Sequence, residues 1–168
     1  TKTNDNFVNG WYNGKASNGS ITFTDAYLSN YDITNNSNPT YNNFISGTSE
    51  TRLVTLKDTT TSGQTFYGYV KDIAGNIGTC KTDVIKVDKS SPTCSVDTTT
   101  SSNSRGWFTN IPTIKLSDTT NDNGYSGINS YGLSTTANTY NNSYTNSQGE
   151  TKGQIWYGII KDNAGNVN

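Results

Sequence analysis

The chain has 168 residues, 30% hydrophobic and 15% charged, with a net charge of −1 and a sequence pI near 5.2. That balance supplies no basic stripe for nucleic acid, no polybasic or amphipathic membrane signal, and no apolar run near the roughly 20 residues of a span. With no His, no Met and only Glu50 and Glu150 as glutamates, it also lacks imidazole base chemistry and reads as a non-enzyme.

Eleven Tyr, 5 Phe and 3 Trp are mixed with Val, Ile and Thr, which favours strands. Asn, Ser and Gly fill the rest and populate turns. No segment holds a 3.6-residue apolar period over three turns, so the fold class expected is all-β. So few apolar residues suit two small domains, 1–88 and 89–168, better than one large core.

Asn-Gly pairs at Asn9, Asn13, Asn18 and Asn123 predict tight turns. Strand-like runs follow at Ile21–Phe23, Leu53–Leu56, Phe66–Lys71 and Val84–Val87. After Asp88–Thr93, where Pro92 stiffens the joint, similar runs lie at Ile111–Leu116, Ile128–Leu133 and Ile155–Lys161.

One segment is written twice. "YGYVKDIAGN" begins at Tyr67 and "YGIIKDNAGN" at Tyr157, and the match extends back through "TSGQTFYG" and "TKGQIWYG". "NGWYN" (9–13) pairs with "RGWFT" (105–109), and "ITFTD" (21–25) with "IKLSD" (114–118), at changed offsets. Loops of different length therefore separate equivalent strands, which is duplication of a domain. In each copy a strand places Phe66, Gly68 and Val70, or Trp156, Gly158 and Ile160, on one face. Bulk on both faces predicts a central strand.

The turn that follows is expected to be held by Asp72 and Asp162, whose carboxylates accept backbone N–H groups two or three residues on. Gly75 and Gly165 supply the left-handed position, and Asn76 and Asn166 resume pairing. One carboxylate cannot provide the six to eight oxygens of a calcium ion, so each Asp reads as a structural turn clamp.

"KDIAGN" and "KDNAGN", the joint "VIKVDKSSPT" (84–93) and the strand "SGINSYGLS" (126–134) resemble the bacterial immunoglobulin-like tandem repeats of extracellular proteins. The resemblance covers both copies. It implies two tandem immunoglobulin-like β-sandwiches, secreted or at a cell surface, that serve as a spacer or adhesive module in a stalk or repeat array. The implied partners are neighbouring domains or like subunits, and host or cell-surface glycans or proteins. Within that frame the last strand of the second domain is expected to lie beyond Asn168. A self-assembling filament subunit that exchanges strands between copies is an alternative.

Cys80 and Cys94 fit the same frame as first-to-last-strand cystines whose partners lie outside this segment, with two reduced thiols as the other reading. A direct Cys80–Cys94 bridge would have to cover a strand of roughly 20 Å.

Three features offer ligand chemistry. "SDTTNDNGYSG" gathers Asp118, Asn121 and Asp122, an oxygen-rich loop without the spacing or terminal Glu of a calcium-binding hand. No cofactor is expected otherwise. Trp11 and Trp107, with Tyr67 and Tyr157, present flat apolar faces that pack in a sandwich or stack on a sugar, which makes a carbohydrate-binding module the third functional reading. Asn18, Asn35 and Asn141 begin N-x-S sequons.

Overall fold

The computed structural model describes residues 7–13, 18–36, 38–45, 47–117, 122 and 124–168. The described residues hold strands, turns and no helix, and no helix is long and apolar enough to cross a membrane. The chain divides into two compact units, Thr1–Val87 and Asp88–Asn168.

The first unit contains β1 (Phe7–Val8), β2 (Trp11–Tyr12), β3 (Asn18–Thr24), β4 (Leu28–Thr34), β5 (Asn43–Phe44), β6 (Ser49–Thr55), β7 (Tyr67–Asp72) and β8 (Ile77–Lys81). Asn9 and Gly10 both take positive φ and turn β1 into β2. Asn18 and Gly19 do not turn. They lie inside β3, opposite Thr55 and Val54 of β6. Asn123 and Gly14 lie outside the described residues.

Two antiparallel layers result, β3–β6 and β5–β4–β7–β8. In β3 the side chains of Ile21 and Phe23 are buried, while Ser20, Thr22 and Thr24 are exposed. They meet Leu28, Ile45, Tyr31, Ile33, Val54, Phe66 and Val70 in one cluster. Removing each large apolar side chain from water contributes about 1.5–3 kcal/mol. A side chain at Gly68 would enter this layer, with its Cβ 2.9 Å from Ile21 Cγ2 and 2.8 Å from Cys80 Sγ. The strand β7 is central, between β4 and β8.

One strand expectation needs correction. Val84–Val87 forms no continuous strand and, among the described residues, pairs through single bridges at Ile85 (to Gln64) and Val87 (to Tyr12). There Val87 joins Leu56, Tyr12, Phe66 and Ile85 in a second cluster, so its apolar run serves packing. The strand that follows the first AGN turn is β8, paired to β7, and Cys80 lies near its end.

The second unit contains β9 (Ser95–Thr98), β10 (Thr113–Ser117), β11 (Ile128–Ser134), β12 (Thr145–Ser147) and β13 (Tyr157–Asp162). One layer is β12–β10–β9 and the other β11–β13. Ile114, Leu116 and Leu133 form its core with Cys94, Val96, Tyr131 and Trp156. A Cβ on Gly158 would lie 2.6 Å from both Leu116 Cδ1 and Val96 Cγ2, so the layers approach at that glycine. Equivalent strands are thus β3 and β10, β4 and β11, β6 and β12, β7 and β13. After its turn the chain pairs back onto β13 through Val167 and two Ile160–Asn168 backbone bonds.

Candidate functional site

The two repeated turns share their backbone geometry. Gly75 and Gly165 both have φ +93°. Asn76 N donates to Asp72 Oδ1 at 2.7 Å and Asn76 Nδ2 to Asp72 Oδ2 at 2.7 Å. Asn166 makes the same pair of bonds to Asp162, at 2.8 and 2.7 Å. Each aspartate thus closes its turn against the asparagine four residues later, and that asparagine supplies a side-chain donor as well.

Their surroundings differ. The Asn76 side-chain hydrogen bond holds the Asp72 carboxyl below its ordinary pKa, and backbone donors add to this. Burial pushes Asp162 the other way, with the charge of Asp88 adding to the rise. Asp162 and Asp88 are fully buried and Asp122 is 8% exposed.

Those three side chains converge. One carboxylate oxygen from each lies within 4.8 Å of the other two. Asp162 ends β13. Asp88 begins the unit and turns inward to accept Tyr125 N at 3.1 Å and Ser126 N at 2.9 Å through Oδ2, and Ser90 N at 3.1 Å through Oδ1. Asp122 comes from the loop between β10 and β11, and its Oδ2 accepts Gly127 N and Ser126 Oγ. Its Oδ1 is buried and has no hydrogen-bond partner among the described residues. Burial raises the Asp122 pKa, and the neighbouring charges of Asp88 and Asp162 act in the same sense.

The loop is where the copies part. Tyr27 O accepts Ile73 N in the first unit, and Gly127 O accepts Asn163 N in the second. Between "ITFTD" and that carbonyl the first copy has two residues, Ala26 and Tyr27, whereas the second continues from Thr119 to Gly127. The added stretch carries Asp122, Gly124 and Ser126. Asn163 Nδ2 donates to Ser126 O at 2.8 Å, and Ser126 Oγ accepts Ala164 N. Gly124 lets Asp88 enter, because a Cβ there would lie 2.1 Å from Asp88 Oδ1.

Of the sequence-level oxygen donors, Asp118 and Asn121 lie outside the described residues, and Asp122 joins the cluster. Sequence reasoning treated Asp162 as a solitary carboxylate and overlooked Asp88 as a site residue. The signal open to it was the Asp of "VDKSSP", an acidic residue between apolar Val87 and a proline-stiffened joint.

The aromatic candidates separate. Trp11 is 8% exposed with Lys86 Nζ 5.6 Å from its ring centre, so it is packed. Trp107 is 57% exposed and lines a cleft of about 460 Å³ with Phe108, Trp156, Asp97 and Gln148. Gln148 Oε1 accepts Trp156 Nε1 at 3.0 Å. Tyr67 stacks on Tyr69 with ring centres 6.4 Å apart, and Tyr157 is exposed on β13. No member of the carboxylate cluster lines the cleft.

The cysteines occupy related places. Cys80 Sγ lies 2.8 Å from the Cβ position of Gly68, and Cys94 Sγ 3.8 Å from that of Gly158. Gly68 and Gly158 are the same residue of the two repeated segments, so both sulfurs flank one structural position. Asn18 begins β3, and Asn141 holds the backbone of Leu133 at N and O.

Comparison with known proteins finds no family model, curated protein or solved structure that matches the chain.

Proposed function

We propose that the chain is a structural module, a spacer or adhesive segment made of two immunoglobulin-like sandwiches, from a secreted or cell-surface bacterial protein. It does no catalysis in this reading. Its partners are neighbouring modules and the surfaces or glycans they meet. The observation that carries the proposal is the duplicated scaffold: two layers built on equivalent strands and the same Asp–Gly–Asn turn in each unit, each with its own apolar core. Repetition with loop variation adds length without adding a reaction centre.

A carbohydrate-binding role has one specific observation in its favour, the exposed Trp107 beside Phe108 and Trp156 in a cleft edged by Asp97 and Gln148. A flat indole with polar groups around it suits a sugar face.

Two measurements on the whole chain test these readings. Calorimetry should give a total unfolding enthalpy about twice the van't Hoff value, the mark of two independent cooperative units. A ratio of one would contradict the modular reading. A glycan array should be blank for a pure spacer. Specific binding that Trp107→Ala abolishes, with unfolding unchanged, would establish the carbohydrate role instead.

A further inference from the structure

We propose that Asp88, Asp122 and Asp162 form a binding site for one Ca²⁺ ion inside the second unit. Four observations converge on it.

First, the donor set is hard oxygen throughout, with no thiol or imidazole among the three residues. That chemistry selects calcium or magnesium over zinc or copper. Second, the spacing can accommodate a calcium ion. Calcium holds oxygens at about 2.3–2.6 Å, so two ligands on opposite sides of it stand about 4.6–5.2 Å apart. The three oxygens, all within 4.8 Å of one another, can therefore share one such ion. Magnesium holds oxygens at about 2.0–2.1 Å in a strict octahedron and keeps several waters, which suits a buried three-carboxylate pocket less well.

Third, the charge requires a counterpart. Three buried carboxylates at this separation repel strongly, and among the described residues no Lys or Arg forms an ion pair with any of them. A divalent ion cancels two of the three charges. Fourth, Asp122 is more than nine-tenths buried and its Oδ1 lacks a partner among the described residues. Burying such an oxygen is costly unless something binds it. The other carboxylate oxygens are already oriented by N–H donors from Ser90, Tyr125, Ser126, Gly127 and Asn166. Those bonds hold the carboxylates in place and leave each with further lone pairs for a cation. Gly124 completes the arrangement, since any side chain there would enter the Asp88 carboxylate.

The first unit provides an internal control. Asp72 makes the same turn, yet it belongs to no such group of acids among the described residues.

The test uses the whole chain, stripped with a chelator and titrated with CaCl₂, with MgCl₂ as competitor. Calorimetric titration should show one Ca²⁺ per chain with a dissociation constant of about 1 mM or tighter. Hydrogen exchange should slow in peptides spanning 88–92, 122–128 and 160–166, and stay unchanged across 70–77. Asp122→Asn, which keeps the shape of the side chain, should weaken Ca²⁺ binding about tenfold or more. Asp72→Asn should leave it as it was.

Absence of heat and of protection at about 10 mM Ca²⁺ would overturn the proposal, leaving carboxylates that share protons. Undiminished affinity in Asp122→Asn, or protection centred on 70–77, would overturn it as well. Should Asp122→Asn fail to fold, the exchange map of the unaltered chain decides the matter alone.

Discussion

Two turns with nearly the same sequence lead different lives. In "KDIAGN" the variable residue, Ile73, is 73% exposed and the aspartate is only half-buried. In "KDNAGN" it is Asn163, which ties down Ser126 O and Gly127 O, and Ala164 and Asp162 are fully buried. The turn itself is set by Asp, Gly and Asn and does not change. Its chemistry is set by what an adjoining loop lays over it. The same aspartate therefore has its pKa lowered in one copy and raised in the other.

The contrast extends to the strand that follows that loop. Asp32 of β4 and Gly132 of β11 face equivalent partners, Tyr69 and Ile159. Asp32 Oδ2 reaches out to Thr40 N at 2.7 Å, whereas in the second unit the backbone around Thr139 sits directly against Gly132. A Cβ on Gly132 would lie 1.9 Å from Thr139 O. Gly132→Ala should thus break the comparison most severely, destabilising the second unit by about 3 kcal/mol, while the reciprocal Asp32→Gly should cost the first about 1–2 kcal/mol. Denaturant unfolding followed by hydrogen exchange, resolved by peptide, reads both. Equal costs would dissolve the distinction.

An exchange of the variable turn residues comes next in size. Asn163→Ile removes the side-chain bonds to Ser126 O and Gly127 O and should destabilise the second unit by about 1–2 kcal/mol. Ile73→Asn, at an exposed site, should change the first unit by no more than about 0.5 kcal/mol. The same unfolding measurement separates them.

The smallest effect is a pH dependence. Because the folded Asp72 has a lowered pKa, it binds fewer protons than the unfolded chain just below pH 4. Its contribution to stability is present above the unfolded carboxyl value and disappears as pH falls through the folded one. Asp72→Asn should flatten the acid limb of the first unit's urea midpoint below about pH 4. An unchanged limb would mean that the Asn76 bonds carry no net preference for the charged carboxylate.

Much of the scaffold could be read from local pattern. Alternation in Ile21–Phe23 and Ile114–Leu116 marks buried faces, and Gly75 and Gly165 mark left-handed turns, because both signals arise within a few residues. Two elements were hidden for opposite reasons. The strand "LSNYDIT" (β4) carries Asn, Asp and Ser where a half-buried strand usually shows alternation, and its place is fixed by pairing with β7. "VIKV" has the apolar run of a strand but spends it on packing against Leu56 and Tyr12. The carboxylate site was the least legible. Asp88, Asp122 and Asp162 are dozens of residues apart, and only the return of β13 beside the entering chain brings them together.

That return has a mechanical consequence. Asn166 Nδ2 donates to the carbonyls of Asp88 and Ser90, and Asn168 Nδ2 to that of Pro92, at 2.9, 3.2 and 3.0 Å. Both segments advance in the same direction as their contacts do, so they run side by side in parallel. Tension applied at Asp88 and Asn168 would slide one past the other and strain these bonds together, in shear. Bonds loaded in shear share the force instead of opening one at a time. Under a steady pull, the joint between entrance and exit would set the unfolding rate of this unit.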